Sequence, residues 1–328
     1  SIKMHNNTSL MNLPCPGENI TVEYTYTLYS TFYLIIFIPG LLGNSVALWV
    51  LSTFIKKKNK AVIFMMNLTL ADLVHVFSLP LRIYYYINHD WPFGNTLCLL
   101  CFYLKYLNMY ASIAFLVCIS IQRCVFLINP FRAKNWKRRY DIGISIVLWL
   151  LVGAGCSPFI LMRNNSTANK GCFKDLPTRK LNLKLSVTMM AFAELTGFVI
   201  PLVIIVTCSC WIIQSLKDSS VFKKDSDKSK ALRMVLMCML VFLLCFAPYH
   251  INFLFYLMTG QDIITNCPLR KAIRQFHPIS LCLASLSCCL NPVMYYFLTT
   301  EFSQLSHRGS IMIRNRLMSR ESGSSIRE

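Results

Sequence analysis

The stretch ISIQRCVFLINPF (residues 119–131) carries a single charged side chain, Arg123. Arg123 lies near the end of a mostly apolar run over residues 96–128. A bilayer core about 30 Å thick is crossed by roughly 20 helical residues, so a run of this length predicts a membrane-spanning helix. A charge within such a span costs about 2.5–3.5 kcal/mol on insertion scales, which makes Arg123 a candidate functional residue.

The rest of the chain repeats this pattern. Of its 328 residues 55% are hydrophobic and only 14% are charged, and the mean hydropathy is +0.49. Seven apolar runs are long enough to cross a bilayer, and we refer to them as the first to seventh spans: about 27–54, 61–87, 96–128, 141–162, 185–216, 231–258 and 272–298. They lack the alternation of membrane barrel strands. The sequence therefore predicts an all-α membrane protein, a seven-transmembrane helix bundle, with a short amphipathic eighth helix in TTEFSQLSHR after Phe297.

Basic residues indicate the orientation of the bundle. Clusters of Lys and Arg occupy the first, third and fifth connections and the tail, for example KKKNK (56–60) and RAKNWKRR (132–139). Such clusters are held on the cytoplasmic side and face acidic lipid headgroups. We expect an extracellular segment over 1–26, a seven-transmembrane domain over 27–298 and a cytoplasmic tail over 299–328. Because membrane lipid accounts for the net charge of +19, we expect no nucleic-acid partner.

Glycosylation motifs and cysteines agree with this orientation. Candidate acceptor asparagines lie in the first segment and after the fourth span: Asn6, Asn7, Asn19, Asn164 and Asn165. No cleavable signal peptide is expected, and the first span would direct insertion itself. Four of the fifteen cysteines lie at the outer face, where disulfides form: Cys15, Cys98, Cys172 and Cys267. Four cysteines allow three pairings, and spacing alone does not choose among them.

A carboxylate lies in the middle of the second span. Asp72 needs hydrogen-bond donors, water or a cation at that depth. Asn44, Ser112 and Asn291 are its candidate companions, and together they predict a small polar pocket for a hydrated sodium ion. The alternative is a water-filled hydrogen-bond network without an ion.

A series of motifs resembles the rhodopsin-like G-protein-coupled receptors in order and spacing. The matching features are GNSVALWV from Gly43, LTLADL ending at Leu73, WPFG from Trp91, Cys98, Arg123, Trp149, Pro201, CFAP ending at Pro248 and NPVMYY from Asn291. The resemblance implies a plasma-membrane receptor that signals to a heterotrimeric G protein, with arrestin and receptor kinases as further partners. It implies activation through Arg123, Phe246, Pro248 and Tyr295. It also pairs Cys98 with Cys172 and, in one branch, Cys15 with Cys267.

Some residues depart from the family pattern. Gln122 and Cys124 flank Arg123, so the acid that usually pairs with this arginine is missing. Ser209 replaces a tyrosine in the fifth span, and Phe246 replaces the more common tryptophan. The first departure predicts either higher resting activity or another residue that holds Arg123.

Within the family the chain is similar to the purinergic-type branch, whose members bind nucleotides or lipids. The stretches LPLRIYYYINHDWPFG, CFYLKYLNMYASI and FAPYHINF carry this resemblance. It implies lysophosphatidylserine as the ligand and coupling to Rho-activating G proteins. Relatives carry a lysine where this chain has Thr259-Gly260, so another lysophospholipid stays open, unless Lys271 compensates.

Charge also predicts an anionic ligand. The outer half is basic and attracts anions, while aromatic side chains beneath suit an apolar tail. The candidate ligand-binding residues are Arg82, Lys105, Tyr106, Tyr110, Arg163, Glu194, Phe253 and Arg274. A nucleotide is disfavoured because Phe253 stands where nucleotide receptors carry a basic residue. Glu194 would either meet a cation or be a neutral carboxyl bonded to another helix.

Other functional classes fit less well. A transporter or channel would show internal repeats, and none is visible. An enzyme would need a nucleophile beside a base or a metal cluster, whereas His75, His250 and His277 are scattered. We expect no catalytic activity, no metal, and no cofactor other than the sodium ion near Asp72.

Overall fold

The computed structural model describes residues 15, 22–55, 62–163, 171–173, 183–218, 222–298 and 310–319. The first four spans are α1 (Val22–Ile55), α2 (Val62–Asn88), α3 (Asn95–Ile128) and α5 (Arg138–Arg163), with the short α4 (Pro130–Asn135) before the fourth. The fifth span consists of α6 (Leu183–Glu194), a π-helical turn (Leu195–Val199) and α7 (Ile200–Lys217). The sixth consists of α8 (Phe222–Val241), a second π turn (Phe242–Phe246) and α9 (Ala247–Gly260). The seventh is α10 (Cys267–Leu298), and α11 covers 310–319.

The seven-helix prediction is confirmed. Seven of the described helices are long and apolar enough to span a membrane. Several extend beyond the predicted runs, most clearly the sixth, which begins at Phe222 rather than 231, and the seventh, which begins at Cys267 rather than 272. An apolar run marks only the part of a helix inside hydrocarbon, whereas the helix continues into the polar interface.

Some predictions lie outside the described residues. They include the candidate glycosylation sites and the whole of the predicted eighth helix. The described tail helix, α11, follows that segment.

The third span lies at the centre of the bundle. It packs against the second, fourth, fifth and sixth spans, and the seventh packs against the first, second and sixth. The fourth span packs on the third and second and exposes a row of apolar side chains such as Ile146, Leu150 and Leu151. Within the described ranges, the fourth and fifth spans do not form a packed pair.

Two prolines free carbonyls that nearby side chains satisfy. Pro292 has no N–H to donate to the carbonyl of Cys288, and Asn44 of the first span donates to it from Nδ2 at 2.7 Å. Pro158 frees the carbonyl of Ala154 in the same way, and the Ser157 hydroxyl donates to it at 2.6 Å. These side chains allow kinked helices to remain hydrogen-bonded inside a membrane.

The four outer cysteines form the pairs that the resemblance implies. Cys98 at the start of α3 is bonded to Cys172, and Cys15 is bonded to Cys267 at the start of α10. The first pair fixes the connection that follows the fourth span against the outer end of the third. Both disulfides lie at the end of the bundle that carries Arg82.

Candidate functional site

Arg82 lies near the outer end of α2 and is completely buried. One Nη of its guanidinium donates to the backbone carbonyl of Cys101 in α3. Its Nε is buried without a hydrogen-bond partner, and no carboxylate of the described residues pairs with it. A buried guanidinium with so few acceptors is electrostatically unsatisfied, so the site favours an anion.

Aromatic rings enclose this arginine. The guanidinium carbon lies 4.6 Å from the centre of the Phe173 ring. Phe173 follows the disulfide-bonded Cys172 and makes edge contacts with Tyr85 and Trp91, at 5.2 and 5.4 Å between ring centres. The disulfide therefore holds an aromatic cover over Arg82.

Lys105 lies one helical turn beyond Cys101. Its Nζ is 5.9 Å from the ring centres of both Tyr29 and Tyr106. An ammonium at this distance from aromatic faces is attracted by them. Lys105 thus adds a second positive charge on an aromatic lining, with Tyr106 itself buried.

A second group of residues, which includes the predicted Tyr110, connects the third, fifth and sixth spans. His250 places Nδ1 2.8 Å from the carbonyl of Phe246, so Nδ1 carries the proton and Nε2 accepts from the Tyr110 hydroxyl at 3.3 Å. Gly197, in the π turn of the fifth span, packs against both rings. A Cβ built on it would lie 2.6 Å from His250 Nε2 and from Tyr110 Cε1. Only glycine fits at this contact.

Phe253 stacks on Tyr249 with ring centres 5.4 Å apart, and Tyr256 stacks on His277 at 4.2 Å. These contacts give the sixth and seventh spans a continuous aromatic surface. Glu194 ends α6, and its Oε1 is buried without a partner. This oxygen can accept a hydrogen bond from a cation or another donor.

Two predicted ligand-binding residues are less completely described. Arg274 is half-buried in α10. Arg163 is the last residue of α5, and its side chain lies outside the described structure. The structure therefore brings Arg82 and Lys105 near Tyr106, and Tyr110 near His250, and it leaves Arg163 as a prediction.

The predicted sodium pocket is centred on Asp72, which is fully buried. Asn291 donates to its Oδ2 at 2.8 Å, and Asn108 donates to its Oδ1 at 3.2 Å. Asn44 directs its amide to the carbonyls of Gly40 and Cys288 instead. Three oxygen atoms remain buried without hydrogen-bond partners: Asn44 Oδ1, Asn291 Oδ1 and Ser112 Oγ. Oxygen atoms of this kind suit a hard cation.

Asn108 was not among the predicted companions. It lies one helical turn before Ser112, so a helical projection of the third span would have placed it on the same face. Phe173 and Gly197 were also missed. The position of Phe173 beside a disulfide cysteine was its only signal, and nothing local marked Gly197.

Arg123 lies at the inner end of the bundle, and both of its neighbours in the chain make polar contacts with other spans. Gln122 donates to Asp141 Oδ1 at 2.9 Å, and the Trp136 indole donates to the same oxygen at 2.8 Å. Cys124 lies against the carbonyl of Cys208 in the fifth span, with Sγ 3.8 Å from the oxygen. Gln122 therefore connects the third span to an acid of the fourth, where the family pattern has an acid in the third.

The other residues expected to act in activation are buried between helices. Phe246 lies at the end of the π turn, 6.5 Å between ring centres from Phe242, and Pro248 follows in α9. The Tyr295 hydroxyl donates to the carbonyl of Met65 in the second span at 3.3 Å. Tyr295 thus has a partner in the second span.

Comparison with known proteins bears on these sites. Residues 43–295 match the model of the family described as 7 transmembrane receptor (rhodopsin family). A mouse protein that is named as purinoceptor 10 is 58% identical over 98% of both chains.

More distant relatives also align over most of the chain. Human "Probable G-protein coupled receptor 174" is 50% identical over 87% of this chain and 86% of its own length. Human lysophosphatidic acid receptor 6 is 35% identical over 84% of this chain and 81% of its own. The similarity extends from the first span to the last, so both ends of the bundle are covered.

Proposed function

The chain belongs to the rhodopsin family of seven-transmembrane receptors, and from this we propose that its ligand is an anionic lysophospholipid, with lysophosphatidylserine first. It is an integral membrane protein, and we propose that it lies in the plasma membrane with its N-terminus outside. Membership of this family sets aside the transporter and channel alternatives.

Arg82 is the observation that carries the ligand proposal. A guanidinium can bind a phosphate through two parallel hydrogen bonds. Arg82 is buried, with an unpartnered Nε and no carboxylate paired with it among the described residues. The phosphate of the ligand would supply the negative charge that pairs with Arg82, and Arg163 is a second proposed contact. Because Phe173 covers Arg82, binding would require that ring to move.

The apolar tail has a route into the bundle. The described parts of the fourth and fifth spans are not a packed pair, and Phe192 of the fifth span is exposed. A chain entering between them would meet the region of Tyr110 and Gly197. Exposed apolar surface within a bilayer offers no barrier to an acyl chain.

The relatives include receptors named for both ligand classes, and a residue of this chain favours the lipid. One of the aligned proteins is named for lysophosphatidic acid, and another as a purinoceptor. In this chain Phe253 stacks on Tyr249, so that position adds apolar surface and no positive charge for a polyphosphate. A nucleotide, and a lysophospholipid with another head group, are the alternatives that the assay below separates.

The serine head group would distinguish lysophosphatidylserine from lysophosphatidic acid through its ammonium and carboxylate. Glu194 Oε1 is a buried, unpartnered acceptor, and we assign the ammonium to it. Lys271 is exposed at the outer end of the seventh span and is the proposed partner of the carboxylate. The alternative for Glu194, a neutral structural carboxyl, would leave selectivity unchanged in Glu194→Gln.

Ligand binding would shift an existing equilibrium between two arrangements of the sixth span. We propose that this span swings about Pro248 and its π turn, and that Arg123 then contacts the G protein. From the resemblance we further propose coupling to Rho-activating G proteins and regulation by receptor kinases and arrestin.

We also propose that Asp72 binds sodium. Its carboxylate and the unpartnered oxygens of Asn44, Asn291 and Ser112 would hold the ion. An ion that binds one arrangement more tightly than the other would bias the receptor toward it.

The test is a G-protein activation assay in cells that compares lysophosphatidylserine, lysophosphatidic acid, sphingosine phosphate and ADP. We expect selective activation by the serine lipid. Arg82→Ala should raise the effective concentration roughly 10- to 150-fold, since hydrogen bonds to charged groups contribute about 1.5–3 kcal/mol. Arg82→Lys retains the charge without the planar fork and should fall in between.

Surface expression of each variant is the control for folding. Full potency of Arg82→Ala at normal surface expression would remove the phosphate contact from the proposal. Selective activation by ADP would replace the lipid with a nucleotide.

A further inference from the structure

Three polar side chains meet where the first, second and seventh spans pack together, at a level between Arg82 and Asp72. They are Tyr33 of α1, His75 of α2 and Ser285 of α10, and we call them the His75 cluster. His75 Nε2 lies 3.2 Å from Ser285 Oγ, and the same serine lies beside Tyr33. All three side chains are buried. They belong neither to the sodium pocket nor to the candidate ligand-binding residues.

The His75 cluster has hydrogen-bond donors to spare. The Tyr33 hydroxyl and His75 Nδ1 are both buried without a hydrogen-bond partner. With a neutral imidazole, His75 and Ser285 together carry one N–H and one O–H, and the bond between them uses one of these. In either tautomer of the histidine, the other hydrogen remains free to be donated. Together with the Tyr33 O–H, the cluster therefore offers two buried donors to an additional acceptor.

The charges around the cluster are positive on its outer side. The Arg82 guanidinium acts electrostatically on Tyr33 and on His75, and the Lys105 ammonium acts on His75 as well. Asp72 lies one helical turn deeper and directs its carboxylate oxygens to the amides of two asparagines. Two positive charges beside spare donors favour an anion at this place.

We propose that the His75 cluster binds a chloride ion, whose charge balances Arg82 in the receptor without ligand. Arg82 pairs with no carboxylate of the described residues, and a buried guanidinium is strongly destabilising unless a counter-charge lies near it. The cluster is fully enclosed, so the anion must be small. A halide ion accepts hydrogen bonds from O–H and N–H groups in any direction, and chloride is the abundant small anion outside the cell.

The chloride ion would compete with an anionic ligand. A phosphate that reaches Arg82 uses the same positive charge, so the ion stabilises the receptor without ligand relative to the occupied one. The inference uses the orientation proposed above and does not depend on the identity of the outer ligand.

Thermal unfolding of the purified full-length receptor, without any lipid ligand, can test the site. Melting temperatures are compared in sodium chloride, sodium bromide and sodium gluconate at equal ionic strength. The sodium concentration is the same in all three, so the occupancy of the proposed sodium pocket does not change. We expect chloride and bromide, but not the larger gluconate, to raise the melting temperature by roughly 2–4 °C, with a dependence on halide concentration that saturates.

The cluster variant, Tyr33→Phe with Ser285→Ala, removes two hydroxyls and should weaken halide binding roughly tenfold or more. The matched control, Tyr26→Phe with Ser287→Ala, removes the same groups from the same two spans. The control hydroxyls already have hydrogen-bond partners, the Tyr85 hydroxyl and the carbonyl of Ala284. The control should therefore respond to chloride as the unmodified receptor does.

Arg82→Met is a second variant, which separates loss of the counter-ion from a general loss of stability. Because it removes a buried charge, it should unfold at a higher temperature than the unmodified receptor in gluconate and should not respond to chloride. Equal melting temperatures of the unmodified receptor in chloride and gluconate, an undiminished response in either variant, or an equal loss in the control would overturn the site. No lipid is present at any stage, so the result stands apart from the activation assay.

Discussion

Asn44 contributes to stability in a way that its expected role near Asp72 does not include. Its Nδ2 donates to the carbonyls of Gly40 and Cys288, the second of which Pro292 leaves without a helical donor. The bond links the first and seventh spans in a setting where water cannot replace it. The asparagine therefore compensates for a proline in a different helix.

Replacing this side chain should destabilise the receptor. We expect Asn44→Ala to cost roughly 1–2 kcal/mol, because a buried carbonyl loses its donor. Asn88→Ala is the matched control, since Asn88 also donates to a carbonyl one turn earlier but is exposed. Thermal unfolding of both purified variants is the measurement, and equal melting temperatures would contradict the argument.

At the scale of single residues, the sequence identified the important polar side chains more reliably than it identified the residues that they contact. Asp72 and Asn291 were correctly associated, and their 2.8 Å hydrogen bond follows from two polar groups at one depth in neighbouring spans. The cover on Arg82 could not be predicted, since Phe173 is positioned by a disulfide distant in sequence. Similarly, the hydrogen bond from Gln122 to Asp141 could not be predicted, because it depends on how the third and fourth spans pack.

Among the elements, the spans were predictable, whereas the π-helical form of two turns in the fifth and sixth spans was not. Length and apolarity determine where a helix can cross a bilayer. The π turn at Leu195–Val199 makes a contact that is distant in sequence, the packing of Gly197 against His250, and the second π turn covers Phe242–Phe246. Both turns precede a proline, and each changes the direction in which the following side chains point.

A short hydrogen bond joins the inner ends of the fifth and sixth spans. Lys228 of α8 is 6% exposed, and its Nζ donates to the carbonyl of Ser215 at 2.6 Å. That carbonyl belongs to the last turn of α7, where helical donors run out and the helix dipole attracts a cation. Outward movement of the sixth span alone would break this bond.

We call the arrangement in which the sixth span has moved outward open, and the other closed. Removal of the Lys228 ammonium should favour the open arrangement. We expect Lys228→Met to raise signalling without agonist, with the open-to-closed ratio increasing roughly 5- to 30-fold for a loss of about 1–2 kcal/mol. Lys230→Met serves as the control, because Lys230 is exposed on the same helix. Basal G-protein activation at matched surface expression is the readout, and a decrease or no change for Lys228→Met would refute the prediction.

In the molecule as a whole, the two disulfides have different relations to the ligand site. Cys98–Cys172 positions Phe173 on Arg82, whereas Cys15–Cys267 ties the N-terminal segment to the seventh span.

The paired replacement Cys98→Ser with Cys172→Ser should therefore reduce agonist potency more than Cys15→Ser with Cys267→Ser. Dose–response curves corrected for surface expression measure this difference. A larger potency loss from the second pair would show that the N-terminal segment contributes more to ligand binding than Phe173 does.

The bond between Cys15 and Cys267 joins residues 252 positions apart. At about 5–20 residues per second, translation leaves Cys15 without its partner for roughly 10–50 s. During that interval Cys98 and Cys172 enter the same oxidising compartment, where each can compete with Cys267 for Cys15. Closure of this covalent ring therefore requires that the outer start of the seventh span has reached the oxidising side, and a chain that stops before Cys267 keeps Cys15 as an unpaired thiol.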